Sequence, residues 1–183
     1  MTSLKGKFLI ASPQLLDPNF ARAVILIVSH DENGALGLIV NRPLEVSLQE
    51  VVTQALDDES FADVEGVLYG GGPCEGPLMV VHDDADRSQI EVVPGVHFTT
   101  DREDLEALLR DGGEHVTKYF VGYAGWSSEQ LEGEIEIGSW LQAPADARQV
   151  FEPGPRQWQK WVTIITGEMG VSPDRLPDDP SLN

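Results

Sequence analysis

Short apolar runs, most of them bounded by glycine, proline or asparagine, alternate along this chain with a few helical stripes. Lys5 to Ala11 reads as a strand that ends at Ser12-Pro13, because proline donates nothing to a ladder. Asp17-Pro18-Asn19-Phe20 reads as a turn. Arg22 to Ser29 follows, apolar at every position from Val24 to Val28, which predicts a central strand covered on both faces. Asn33-Gly34 is a strong hairpin signal, and Ala35 to Asn41 would return antiparallel with His30 opposite Gly37 and Leu26 opposite Asn41.

Leu48, Val51, Val52 and Ala55 lie at helical spacing behind Ser47, with Glu50 placed to complete a capping box. Val64–Tyr69, Leu78–His82 and Ile90–Val93 read as short strands, the last two joined by an acidic loop. Thr100 is the expected cap of a helix carrying Leu105, Leu108 and Leu109 and stopped by Gly112-Gly113. Tyr119–Tyr123 reads as a strand passing through Gly122 and Gly125 to a helix capped by Ser127. A last helix spans about 156–166, with Trp158, Trp161, Val162 and Ile165 on one stripe. No repeat or linker interrupts this, so residues 1–170 are expected as one domain and 171–183 as an extended polar tail.

The 183 residues suit a single domain that buries roughly 70% of its unfolded surface. No apolar run approaches the roughly 18 residues of a membrane span, and no signal-peptide pattern opens the chain, so a cytoplasmic protein is expected. The formal charge is −19, from 12 basic and 31 acidic residues. It is uneven: residues 50–115 hold three basic and 17 acidic groups. Clustered cations are what displace phosphate counterions, so direct nucleic-acid binding and anionic membranes are disfavoured. The acidic middle itself reads first as a solvated face.

Four corners at strand ends are candidate ligand positions. Asp17 and Arg22 flank the first, where the structural alternative is a turn with an ion pair. Asn41-Arg42-Pro43 is the second; the proline holds Arg42 extended, and its guanidinium would clamp a carboxylate or phosphate or serve in a structural pair. Tyr69-Gly70-Gly71-Gly72-Pro73 is the third, a backbone anion nest or a bend where two chains pass closely. At the fourth, Gly125 and Trp126 stand before a helix N-terminus that favours anions; Trp126 is an apolar wall or a core residue.

Classes of chemistry fall away by motif. The glycines fit neither a P-loop nor a dinucleotide fingerprint, and no G-x-S-x-G elbow is present. The single Cys74 excludes an internal disulfide and lies beside Glu75, which disfavours a thiolate. His82-Asp83-Asp84-Ala85-Asp86 lacks the pattern of a calcium loop, and the four histidines show no zinc spacing, so no metal and no cofactor are expected. An enzyme would need Asp17, His30 or Glu132 to converge.

Several segments together resemble the AlgH/YqgE family of bacterial proteins: GKFLIASP (6–13), DPNFARAVILIVSH (17–30), GALGLIVNRPL (34–44), YGGGP (69–73), VPGVHF (93–98), FVGYAGW (120–126), QLEGEI (130–135) and GSWL (138–141). The resemblance implies an α+β fold, one bent, barrel-like, mostly antiparallel sheet with helices packed outside. The family is often described as transcriptional regulators; the resemblance assigns no reaction, cofactor or catalytic residue. Ser127-Ser128-Glu129 stands where the family usually has a Gly-Pro-Gly-like turn. Charge and resemblance together predict a regulator that acts through a small anionic ligand or a protein partner. The alternative is a hydrolase or transferase acting on a small anionic substrate.

Overall fold

The computed structural model describes residues 2–61 and 63–168; the expected tail, 171–183, lies outside the described residues. Ten strands form two five-stranded sheets among those residues. The first sheet takes β1 (Lys7–Ala11), β2 (Val24–Asp31), β3 (Gly34–Ile39), β9 (Ala124–Ser127) and β10 (Trp140–Pro144), in the order β10-β1-β2-β3-β9. The second takes β4 (Leu68–Gly70), β5 (Met79–His82), β6 (Ile90–Val93), β7 (Val96–Thr99) and β8 (Thr117–Val121), in the order β4-β8-β5-β7-β6. Every pairing is antiparallel except β4 with β8. The α+β class and the mostly antiparallel pairing are as expected. The single barrel-like sheet is not: the described strands divide between two ladders, and no closed barrel forms.

β2 occupies the centre of the first sheet, and Val24 to Val28 are fully buried, as a run apolar on both faces requires. Period-two alternation divides the second sheet between two cores. Met79, Val81 and Phe120 join the large core shared with the first sheet, whereas Val80 and Tyr119 join a smaller one. Helices α1 (Leu48–Leu56) and α2 (Arg102–Arg110) cover that smaller core with Leu48, Val52, Leu56, Leu105 and Leu108. The helix at the chain's described end, α5 (Gln157–Glu168), packs on β1, with Trp161 tilted against Phe8 at 5.7 Å.

Local corrections each have a physical cause. Asp31 pairs with Gly34, so the hairpin loop is Glu32-Asn33, one residue upstream of the expected one. The Asp31 carboxylate accepts the Asn33 N–H at 2.7 Å and closes that turn. That loop sets His30 opposite Ala35, and a register shift between Ile27 and Ser29 then sets Leu26 opposite Leu38. Ser47 caps α1 as expected, accepting from the Glu50 N–H. Asp101, not Thr100, caps α2, because its carboxylate accepts from both Glu103 and Asp104 N–H groups. The expected strand 64–69 shortens to β4, and β7, β9, β10 and the one-turn helix α4 (Ala147–Phe151) join the elements read from the sequence.

The fourth corner departs most. β8 ends at Val121, Gly122 turns with φ +70, and Ala124–Ser127 enters the other sheet as its edge strand. Helix α3 (Gln130–Glu136) starts only after Glu129, itself at φ +62, and Ser127 does not cap it. Instead the Gln130 side chain accepts from the Ser127 N–H and hydroxyl, each at 3.1 Å.

Candidate functional site

Asn41 is buried, and its amide bridges two stretches of β2 and its approach: Oδ1 accepts the Val24 N–H at 2.8 Å and Nδ2 donates to the Arg22 carbonyl at 2.9 Å. Arg42 donates from Nη1 to the Asn19 carbonyl at 2.5 Å and from Nη2 to the Ala21 carbonyl at 2.9 Å. Burial holds this guanidinium below its ordinary value, and the nearby Asp17 charge opposes that. Asp17 lies at the turn's start, where its carboxylate accepts the Asn19 N–H at 2.8 Å. Arg22, at φ +59, sets its guanidinium 5.7 Å from the centre of the Trp158 ring. These four residues do come together. Their bonds fasten the 17–22 turn to the end of β3; both Arg42 bonds end on backbone carbonyls rather than facing an anion.

The glycine corner also converges, as a seam between the sheets. Gly70 N–H donates to the Arg42 carbonyl and Gly71 N–H to the Val121 carbonyl, so neither is left to build an anion nest. A Cβ on Gly71 would stand 2.2 Å from the Gly122 oxygen, and one on Gly72 would stand 2.2 Å from the Tyr123 carbonyl carbon. Tyr69 is buried beside Phe120, and burial raises its phenol above the ordinary value. The expectation of donors facing a shared cleft is thereby corrected. The close chain passage, the alternative reading of this corner, is what the structure contains.

Trp126 and Gly125 lie apart from that seam, on β9. Gly125 is in the middle of an edge strand rather than at a helix N-terminus, and with Trp126, Tyr123 and Cys74 it lines a shallow concavity of about 510 Å³. Trp126 itself is buried, stacked near Phe20 and edge-on to Trp140. Its indole N–H donates to Glu134 Oε2 at 2.9 Å, and the Trp140 indole donates to the same oxygen at 2.8 Å.

His30 and Glu132 do converge, with Nε2 and Oε1 2.9 Å apart. Nδ1 accepts the Leu4 N–H at 2.9 Å, which assigns the ring proton to Nε2; Glu132 Oε1, though close, has no hydrogen-bond partner among the described residues. Nδ1 is therefore occupied and Nε2 carries the proton, so neither presents a lone pair to a substrate. No group of three histidine, cysteine or carboxylate side chains is arranged to hold a metal ion among the described residues.

Two features escaped the sequence reading. Lys118 is buried in the layer between the sheets, with Nζ donating to the Val40 carbonyl at 3.1 Å and the Glu152 carbonyl at 2.8 Å, 4.6 Å from the centre of the Tyr69 ring. Desolvation lowers its ammonium to about 8, against the pull of Glu152. The available signal was parity: Lys118 shares its strand face with the core residue Phe120. The second feature is a cleft of about 740 Å³ where α4 and α5 meet one end of the second sheet. Its lining includes Val116, Phe151, Pro153, Arg148, Lys160 and Glu152. Lys160 pairs with Glu152 at 2.8 Å, whereas Arg148 makes no ion pair or side-chain hydrogen bond among the described residues. No residue spacing signals this cleft, because its lining comes from separate segments.

Two mostly antiparallel ladders, joined at a glycine seam and covered by helices, define an α+β domain. Residues 8–170 match the AlgH-like family model, and the chain belongs to that family. It is 43% identical over 183 residues to UPF0301 protein XCV3063 of Xanthomonas euvesicatoria, covering 97% of this chain and 95% of that protein. It is 42% identical over 182 residues to UPF0301 protein Smlt1098 of Stenotrophomonas maltophilia, with the same coverage of 97% and 95%. The solution structure of the AlgH protein from Pseudomonas aeruginosa superposes with a TM-score of 0.73 at 32% identity, covering 93% of this chain and 91% of that one. The crystal structure of protein DIP2367 from Corynebacterium diphtheriae gives 0.70 at 26% identity, covering 97% and 91%. Among the described residues no helix is long and apolar enough to cross a membrane.

Proposed function

We propose that this chain is a cytoplasmic binding protein that regulates through a small anionic ligand or a protein partner rather than by touching DNA, and that the ligand sits in the cleft between α4–α5 and the second sheet. Arg148 carries the reading: a guanidinium with no ion pair among the described residues, beside the apolar surfaces of Phe151, Val116 and Pro153, suits a carboxylate or phosphate attached to an apolar body. Lys160 on the same cleft is paired with Glu152, which leaves Arg148 as the guanidinium able to meet an anion. The expected anion clamp thereby moves from Arg42, whose donors are engaged, to Arg148. The excess of 31 acidic over 12 basic residues supports a route other than direct duplex contact. The hydrolase or transferase alternative draws no support from His30, because Nδ1 already accepts from Leu4 and Nε2 carries the proton, leaving no lone pair for a general base.

Titration calorimetry with benzoate, phenyl phosphate, citrate and inorganic phosphate tests the reading. The expected result is binding of at least one aromatic anion, weakened about tenfold, ~1.4 kcal/mol, by Arg148→Ala. Absence of heat with all four anions, or affinity unchanged in Arg148→Ala, removes the cleft as the ligand seat. Sequence-specific duplex binding at physiological salt by the purified chain removes the indirect mode of action.

A further inference from the structure

Three of the four histidines gather at one end of the second sheet. His82 and His97 are cross-strand partners on β5 and β7, with ring centres 6.0 Å apart. His115 lies just before β8, with Nδ1 3.1 Å from Asp83 Oδ1 and Nε2 3.5 Å from Asp84 Oδ2. His82 is fully buried, and neither ring nitrogen has a hydrogen-bond partner among the described residues. Strand parity places it on the face of Val80, opposite Thr117 as Val80 is opposite Tyr119, and that face packs beneath α2.

A neutral imidazole in that position leaves one N–H and one lone pair unmatched, and a charged one would be worse placed still. The groups facing it are His97 from β7, Asp104 from α2, and Asp83 and Asp84 from the loop after β5. The three carboxylates are already engaged elsewhere. Asp104 accepts from the Thr99 hydroxyl at 3.3 Å, Asp84 holds Arg87 and the Asp86 N–H, and Asp83 accepts the Val116 N–H at 3.1 Å. A proton on His82 gains full attraction from these carboxylates only if the ring and its covering segments move.

We propose that His82 is a proton-operated latch: neutral, it lets the 83–88 loop and the first turn of α2 close on the second sheet, and protonated, it releases them toward solvent. Burial, and then the His97 charge, hold the imidazole below its ordinary value, with Asp84, Asp104 and Asp83 pulling the other way. Release therefore belongs to the acid side of the ordinary histidine range. Asp83 also lines the cleft at Arg148, so release alters the rim of that cleft. The latch itself requires no ligand.

Hydrogen exchange of the full chain at pH 7.5 and 5.5, corrected for intrinsic rates, tests it. Amides in 83–88 and 102–105 should lose about tenfold of their protection on acidification, while β1 and β2 keep theirs. His82→Leu should abolish that selective loss, and His115→Gln should leave it. An equal acid response in His82→Leu, or uniform loss across both sheets, overturns the latch. Histidine-resolved NMR of the unmutated chain gives a reading free of folding defects. The His82 ring signals should move over the same pH interval in which those amides open, and titration of His82 without opening overturns the proposal.

Discussion

Gly71 faces the carbonyl of Gly122 so closely that a Cβ on Gly71 would lie 2.2 Å from that oxygen. The contact closes the passage between the two sheets, because the Gly71 N–H also donates to Val121 and its carbonyl accepts from Ile39. Gly71→Ala must displace backbone rather than a flexible side chain and is expected to cost about 3 kcal/mol or more. Gly133→Ala on α3, where a Cβ meets nothing within 4 Å, should instead stabilise by about 0.5–1 kcal/mol. Urea unfolding of both variants checks the contrast.

Glu134 joins α3 to β9 and β10 through one oxygen that receives two indole N–H groups. Glu134→Ala strands both donors and should cost about 2–4 kcal/mol, with a change in tryptophan emission. Glu134→Gln keeps an acceptor oxygen but removes its charge, so a loss of about 1 kcal/mol is expected. Equal losses in the two variants would contradict this account.

Lys118 is lowered to about 8 in the fold, against an ordinary value of 10.5. Between those values the unfolded chain binds more protons than the folded one, so this group's contribution to stability rises with pH from about 8 to 10.5. Tyr119 acts oppositely, because burial raises it to about 12, and its contribution falls between about 10 and 12. Denaturant unfolding at pH 7.5, 8.5 and 9.5 should show the rise in the native chain and a flatter profile in Lys118→Met. Parallel profiles would show that the ammonium is not desolvated.

Arg42 reaches two carbonyls of the 17–22 turn with two guanidinium nitrogens. Arg42→Ala should loosen that turn and cost about 2 kcal/mol, and Arg42→Lys should restore little, since an ammonium lacks the planar fork. Protection of the 17–22 amides against exchange is the readout. Full rescue by lysine would restore the view of Arg42 as a simple point charge.

How far the pattern could be read differs from element to element. Val24–Val28 announced the centre of the first sheet because five consecutive apolar residues suit a strand covered on both faces. Asp31-Glu32-Asn33-Gly34 announced a hairpin, yet the loop lies one residue earlier. Gly34 is needed where it presses on the Trp126 carbonyl, with 2.1 Å for a Cβ, rather than inside the turn. The short edge strands β9 and β10 were missed because each pairs with one neighbour only, and their local pattern is weak. Asn41, Arg42 and Gly70–Gly72 were recognised as meeting points, but which atom satisfies which donor depends on chain far away.

Local spacing alone determined the covered strand, the two helices over the second core, the acidic imbalance and the ordered segments shared with the AlgH-like family. These follow from side-chain periodicity and charge, which are properties of neighbours in sequence. Packing decided that Arg42 and the glycines are fasteners, that Lys118 lies between the sheets and that Arg148 faces a cleft. Those outcomes rest on partners such as Lys118 and Val40, 78 residues apart, which meet only once both sheets have formed.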